Sequence, residues 1–134
     1  MPTSTERMEI RSAEDIVRVR QIVRTKAQAA GLSIVDQTKI VTAASEIARN
    51  TLEYGGGGEV EIEGITETGR SGVRMTFRDQ GPGIEDIELA LRDNYSSGGG
   101  LGLGLGGAKR LCNEFRIDSK PGTGTTVMLA RWKP

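Results

Sequence analysis

The chain has 134 residues, 36% hydrophobic and 27% charged, the balance of one soluble globular domain spanning 1–134. Its 18 basic and 18 acidic residues cancel to a net charge of 0, which argues against a domain held on nucleic acid by bulk charge. No apolar run reaches the ~20 residues of a membrane span, the polar start does not read as a signal peptide, and the one cysteine, Cys112, can make no internal disulfide, so no nucleic-acid or membrane partner is expected and the setting is expected to be cytoplasmic.

Met1 to Arg7 reads as a loose terminus, with a short strand at Met8 to Arg11. Ser12 is a good N-cap, and Glu14 and Asp15 sit where the helix dipole favours acid. Ile16, Val19, Ile22 or Val23, and Ala27 then recur at helical spacing as far as Gly31, a plausible helix stop. Ser33 to Asp36 resembles a capping box with Asp in place of Glu. The helix it opens carries Ile40, Val41, Ala44, Ile47 and Ala48 on one side and runs to about Leu52, before Gly55 to Gly58.

Glu59 to Glu63 and Val73 to Arg78 alternate with period two and predict a hairpin, joined by turn residues Thr68 to Gly72. Ile84 to Arg92 predicts a weak helix, and Ala108 to Cys112 another. Phe115 to Asp118 and Thr125 to Leu129 predict two more strands across Pro121 to Gly124. The order βαα, ββ, α, ββ predicts an α+β two-layer sandwich, with helices on one face of a mixed, mostly antiparallel sheet.

Four segments could carry chemistry. Glu46 and Asn50, at i and i+4, share a helix face; oxygen ligands of this kind suit Mg²⁺, and a carboxylate can take a proton from a hydroxyl or water. Asp79-Gln80-Gly81-Pro82-Gly83 ends a strand, where a carboxylate can accept from an exocyclic amine such as that of adenine. Glycine is 19 of 134 residues, and seven of the 19 lie between Gly98 and Gly107, just before a predicted helix, where backbone N–H groups can meet an anion. Gly122-Thr123-Gly124-Thr125-Thr126 enters the last strand. Each has a plain structural reading by itself: a solvated helix face, a turn, a loop, a hairpin. The chain has no histidine, which removes the commonest general base, the commonest zinc ligand and any phosphohistidine relay within it.

In this order the four segments resemble the GHKL superfamily of ATPases and kinases, the Bergerat fold shared by gyrase, Hsp90, histidine kinases and MutL. The match runs from about Glu46 to Thr126. Ser45 to Asn50 followed by Tyr54 and glycines, Asp79 to Ile84, Gly99 to Leu105 and Lys109 to Phe115 are similar to the small bacterial partner-switching serine/threonine kinases, the stressosome switch kinase above all. The resemblance implies Glu46 as general base and Asn50 as the Mg²⁺ ligand beside ATP. It implies Asp79 holding the adenine amine, with Gly81 and Gly83 admitting the ring. Gly100, Leu101, Gly102, Leu103 and Gly104 would form a mobile lid over the phosphates, and Thr125 would support the base through water in the family pattern. Lys109 or Arg110 would reach the phosphates, and Arg18, Arg20 and Arg24 of the first helix would help form a partner surface.

The implied partners are a STAS-domain scaffold or antagonist protein, as phosphoacceptor, and a PP2C-type phosphatase, activated by binding once the kinase is released; a homodimer is left open. The alternative is an anti-sigma factor kinase that sequesters a sigma factor. Anti-sigma members usually carry a histidine-containing stretch where Leu52 to Tyr54 stand here, and its absence counts against that role.

Overall fold

The computed structural model describes residues 2–91 and 104–134. Among the described residues nine elements follow in chain order: β1 (Pro2–Ile10), α1 (Ala13–Ala29), α2 (Ile34–Glu53), β2 (Gly58–Glu67), β3 (Arg70–Asp79), α3 (Ile87–Ala90), α4 (Leu105–Arg110), β4 (Glu114–Lys120) and β5 (Gly124–Trp132). The strands form one sheet in the order β1-β2-β3-β5-β4. The expected α+β sandwich is present, and every described strand pair is antiparallel rather than mixed.

Residues two apart along a strand face the same side. Val60 and Ile62 of β2, Val73, Met75 and Phe77 of β3, and Val127 and Leu129 of β5 are all buried on one side of the sheet. They form one core with Val19, Val23 and Ala27 of α1 and Ile40, Ala44, Ile47 and Ala48 of α2. The opposite side is charged: Arg7 pairs with Glu61 at 2.6 Å and Arg74 with Glu63 at 3.1 Å. Among the described residues no helix is long and apolar enough to cross a membrane.

Several boundaries differ from the sequence expectation. The terminus is not loose, because Pro2–Ile10 pairs with β2 through backbone bonds. The hairpin turn is tighter than expected: Glu67 pairs with Arg70, and Thr68 and Gly69 have φ of 49° and 79°, the pattern of a type I′ turn. The Ser33 hydroxyl accepts from the Asp36 N–H at 3.1 Å, one half of the expected box. The Asp36 carboxylate instead binds Arg131 of β5 at 2.8 Å, and this partner holds it below the usual carboxylate range against the cost of burial. The weak helix from Ile84 shrinks to Ile87–Ala90, with Asp86 capping the Leu89 N–H at 3.0 Å. The helix expected from Ala108 begins three residues earlier, at Leu105.

Candidate active site

Helix α2 lies across the sheet face with its last turns over the ends of β3 and β5. A cleft opens there, lined by Ile47, Asn50, Thr51 and Tyr54 of α2 and its cap, Phe77 and Asp79 of β3, Ile84, Leu105 of α4, and Thr125 and Val127 of β5. Its volume is about 20 Å³, which admits a water molecule or two. The walls are mostly apolar and the polar groups few, the usual make-up of a small-molecule site.

Asp79 is the acid of this cleft. Burial pushes its carboxyl above the usual range, while backbone N–H groups of Gly81 and Thr125 oppose the shift. The Gly81 N–H donates to Oδ1 at 2.9 Å. Gly55 makes room for the side chain: a Cβ there would stand 2.4 Å from Asp79 Cγ. The Tyr54 hydroxyl donates to the Gly83 carbonyl at 2.7 Å and ties the loop after Asp79 to the end of α2. Ile84 donates its N–H to Ser119 Oγ at 2.8 Å and turns its side chain into the core. These bonds fix the path of Asp79 to Ile84 and explain why no helix starts at Ile84.

Glu46 and Asn50 occupy one face of α2, both half-buried. Asn50 lines the cleft, and its carbonyl accepts from the N–H groups of Tyr54 and Gly55 at 3.0 and 2.9 Å. Glu46 lies one turn back. Its Oε1 binds Arg49 Nη1 at 3.0 Å. Its Oε2 faces Gly104, where an added Cβ would sit 2.5 Å away and φ is +65°. Only glycine meets both demands cheaply. The end of the glycine-rich segment and the start of α4 are thus seated on Glu46.

Asn50, Asp79 and Thr125 line the cleft; Gly81 and Gly83 are bonded to Asp79 and Tyr54 of its wall, and Gly104 faces Glu46 one turn from Asn50. Gly100, Leu101, Gly102 and Leu103 lie outside the described residues. Lys109 and Arg110 stand exposed in the last turn of α4, where basic residues complement the helix dipole. Arg18 and Arg20 are exposed on α1 and Arg24 is half-buried. Sequence reasoning missed Ser119 altogether. Counting back across the Pro121 to Gly124 turn pairs Ser119 with Thr125, and that register was the available signal. Tyr54, four residues beyond Asn50 on the same helix face, was legible from spacing but received no role.

The chain is 45% identical over 118 residues, 88% of its length and 89% of the relative's, to the serine/threonine-protein kinase RsbT of Bacillus subtilis. It is 32% identical over 101 residues, 72% of its length and 69% of the relative's, to the anti-sigma F factor of Halalkalibacterium halodurans. A crystal structure of the RsbU and RsbW domains of Rv1364c from Mycobacterium tuberculosis matches 99% of the chain with a TM-score of 0.62 and 23% identity. The chain spans 33% of that longer protein, so the likeness concerns the fold. Residues 35–134 match the family described as histidine kinase-, DNA gyrase B-, and HSP90-like ATPase, and the chain belongs to that family.

Proposed function

We propose that this chain is an ATP-dependent protein serine/threonine kinase of a partner-switching module, which phosphorylates a STAS-domain antagonist and, once released, binds and activates a PP2C-type phosphatase. The chain is a serine/threonine kinase by its 45% identity, over most of both lengths, to a kinase of that class. The observation that supports the mechanism is that Asp79 and Asn50 line one cleft while Glu46 lies one helical turn from Asn50, against Gly104. Asp79 supplies a half-buried acceptor in the cleft wall, and Glu46 a half-buried carboxylate one helical turn from Asn50.

The Asp79 carboxylate accepts the adenine amine, and the apolar walls cover the ring. With a cleft of about 20 Å³, the base enters by parting Ile84 and Leu105, the two wall residues outside α2, its cap and the sheet. The triphosphate then runs toward Asn50, Glu46 and Gly104. The donor set there consists of hard oxygens, an amide and a carboxylate, and among the described residues no cluster of three acidic or sulfur ligands competes with it. That set fits Mg²⁺, which takes few protein ligands and otherwise keeps water and phosphate oxygens. Asn50 would hold the ion, whose part is to neutralise phosphate charge.

Glu46 accepts the proton of the incoming serine or threonine hydroxyl. The hydroxyl oxygen bonds to the γ-phosphorus as the bond to the β-phosphate oxygen breaks, and ADP leaves. Positioning and charge stabilisation supply most of the acceleration in such transfers. Arg49, bound to Oε1, holds Glu46 oriented with Oε2 toward Gly104.

The similarity to anti-sigma F factors supports a second reading, sequestration of a sigma factor. One experiment separates the two. The purified chain is incubated with γ-labelled Mg-ATP and a STAS-domain protein from the same source, and separately passed over sigma factors. Label on a serine or threonine of the STAS protein, without stable sigma binding, is the expected result. Absence of label despite ATP binding, with retention of a sigma factor, would replace the first reading by the second.

A further inference from the structure

A second cavity, of about 200 Å³, lies at the other end of the sheet, with Thr3, Ser4, Lys26, Gly64 and Ser71 in its wall. Ser71 stands near the start of β3 and Asp79 at its end, and a strand of that length sets the cavity roughly 25 Å from the cleft. Successive residues of a strand normally face opposite sides. β1 breaks that rule once: its register against β2 slips between Pro2 and Ser4, the mark of a bulge. Thr3 and Ser4 therefore both bring their hydroxyls over Gly64. A Cβ on Gly64 would stand 2.9 Å from Thr3 Oγ1 and 3.1 Å from Ser4 Oγ.

Lys26 reaches this corner from the last turn of α1 and is only 7% exposed. Burying an ammonium is costly unless it is fully paired. It has three protons to place. Its Nζ donates to Ser4 Oγ at 2.8 Å and meets Glu6 Oε1 only at 3.6 Å. The Glu6 side chain is 56% exposed, so solvent weakens that pair. The carbonyls of Lys26, Ala27 and Gln28 at the end of α1 are taken by the N–H groups of Ala30, Leu32 and Gly31 at 2.9–3.0 Å. Ser4 accepts from Lys26 and keeps its own proton, and the hydroxyls of Thr3 and Ser71 have no partner among the described residues. Lys133 adds a second cation beside the wall residue Ala30: its Nζ lies 3.4 Å from where a Cβ on Gly31 would stand.

We propose that this corner binds a small tetrahedral oxyanion, phosphate or sulfate, through Lys26 and the hydroxyls of Thr3, Ser4 and Ser71. The corner holds more donors than acceptors. Ammonium and hydroxyl protons come to it from α1, β1 and β3, and a tetrahedral ion offers oxygens in as many directions. Lysine serves such ions as a point charge, and the cavity has room for the ion together with water. The site is separate from the nucleotide cleft and does not depend on how that cleft is read.

Backbone amide NMR of the full chain, titrated with sodium phosphate against sodium chloride at equal ionic strength, tests this residue by residue. Saturable shifts at Ser4, Gly64 and Ser71 are expected with phosphate, and again with sulfate, but not with chloride. A hydrogen bond to a charged group is worth about tenfold or more in affinity, so Lys26→Met is expected to weaken phosphate binding here at least tenfold. Glu6→Gln removes the competing carboxylate and is expected to tighten binding about twofold to fivefold, a gain that a lysine serving only to join β1 to α1 would not give. Ser71→Ala is expected to weaken binding roughly threefold to tenfold and carries the test if Lys26→Met does not fold. Shifts that chloride reproduces, shifts confined to the cleft around Asn50 and Gly104, or an affinity unchanged in Lys26→Met or Ser71→Ala would each overturn the proposal.

Discussion

Gly55→Ala tests the packing that places Asp79. Gly55 is buried, and its φ is not in the left-handed region, so alanine meets no backbone penalty there. The cost is steric. The new Cβ would sit 2.4 Å from Asp79 Cγ and 2.6 Å from Asp79 Cβ and Oδ2. Carbon atoms in contact rest at about 3.5–4.0 Å, so the two side chains must separate by about 1 Å. Overpacking of this kind costs about 1–3 kcal/mol, which for a chain of this size lowers Tm by about 4–12 °C. A shift of 1 Å also removes Asp79 from hydrogen-bond range of a purine amine, and ATP affinity is expected to fall at least tenfold. Scanning calorimetry and titration calorimetry read the two effects. Gly56→Ala is the control: a Cβ there meets nothing within 4 Å but φ is +76°, so a loss of about 1 kcal/mol in stability is expected with ATP affinity unchanged. A Gly55→Ala chain with unshifted Tm and wild-type ATP affinity would refute the placement of Asp79.

Two further outcomes follow from charge. Asp79→Asn is expected to abolish ATP binding by titration calorimetry without lowering Tm at pH 7. Its carboxyl is raised by burial, so the ionised form weighs against the fold as pH rises, and a neutral amide removes that weight. Asp36→Asn is expected to cost about 3 kcal/mol at pH 7, since it leaves Arg131 without its carboxylate in a place where both side chains are mostly buried. Because the Asp36 carboxyl is held low, its contribution is complete above the ordinary carboxylate range and disappears as pH falls through the depressed value. The gap between wild type and Asp36→Asn in denaturant melts should therefore close in acid; a gap independent of pH would contradict the role given to this pair.

The core elements were legible in the sequence because their side chains carry a period. Apolar residues at helical spacing located α1 and α2, and alternation located the middles of β2, β3, β4 and β5. The first six residues of β1 were not legible. Pro2 to Arg7 are exposed on an edge strand, and backbone pairing with β2 writes no pattern into side chains. The start of α4 was hidden for the opposite reason. Leu105-Gly106-Gly107 has poor helix propensity, yet Leu105 and Gly106 are buried, and tertiary packing overrides propensity there. The candidate site was legible where acids, an asparagine and glycines stand in a particular order, as at Glu46, Asn50 and Asp79. Ser119 escaped because its position depends on strand register, and a lone serine in a strand carries no signal until the register is known.

Glu46→Ala, with binding and transfer measured on the same preparation, tests the central claim most directly. The claim separates two duties: the Asp79 end of the cleft holds the base, and Glu46 takes the acceptor's proton. Near wild-type affinity for Mg-ATP by calorimetry is predicted, together with loss of labelled phosphate transfer to the STAS-domain protein by a factor of about 10²–10⁴, the usual worth of a general base. Full transfer by Glu46→Ala would remove Glu46 as the base and contradict the account.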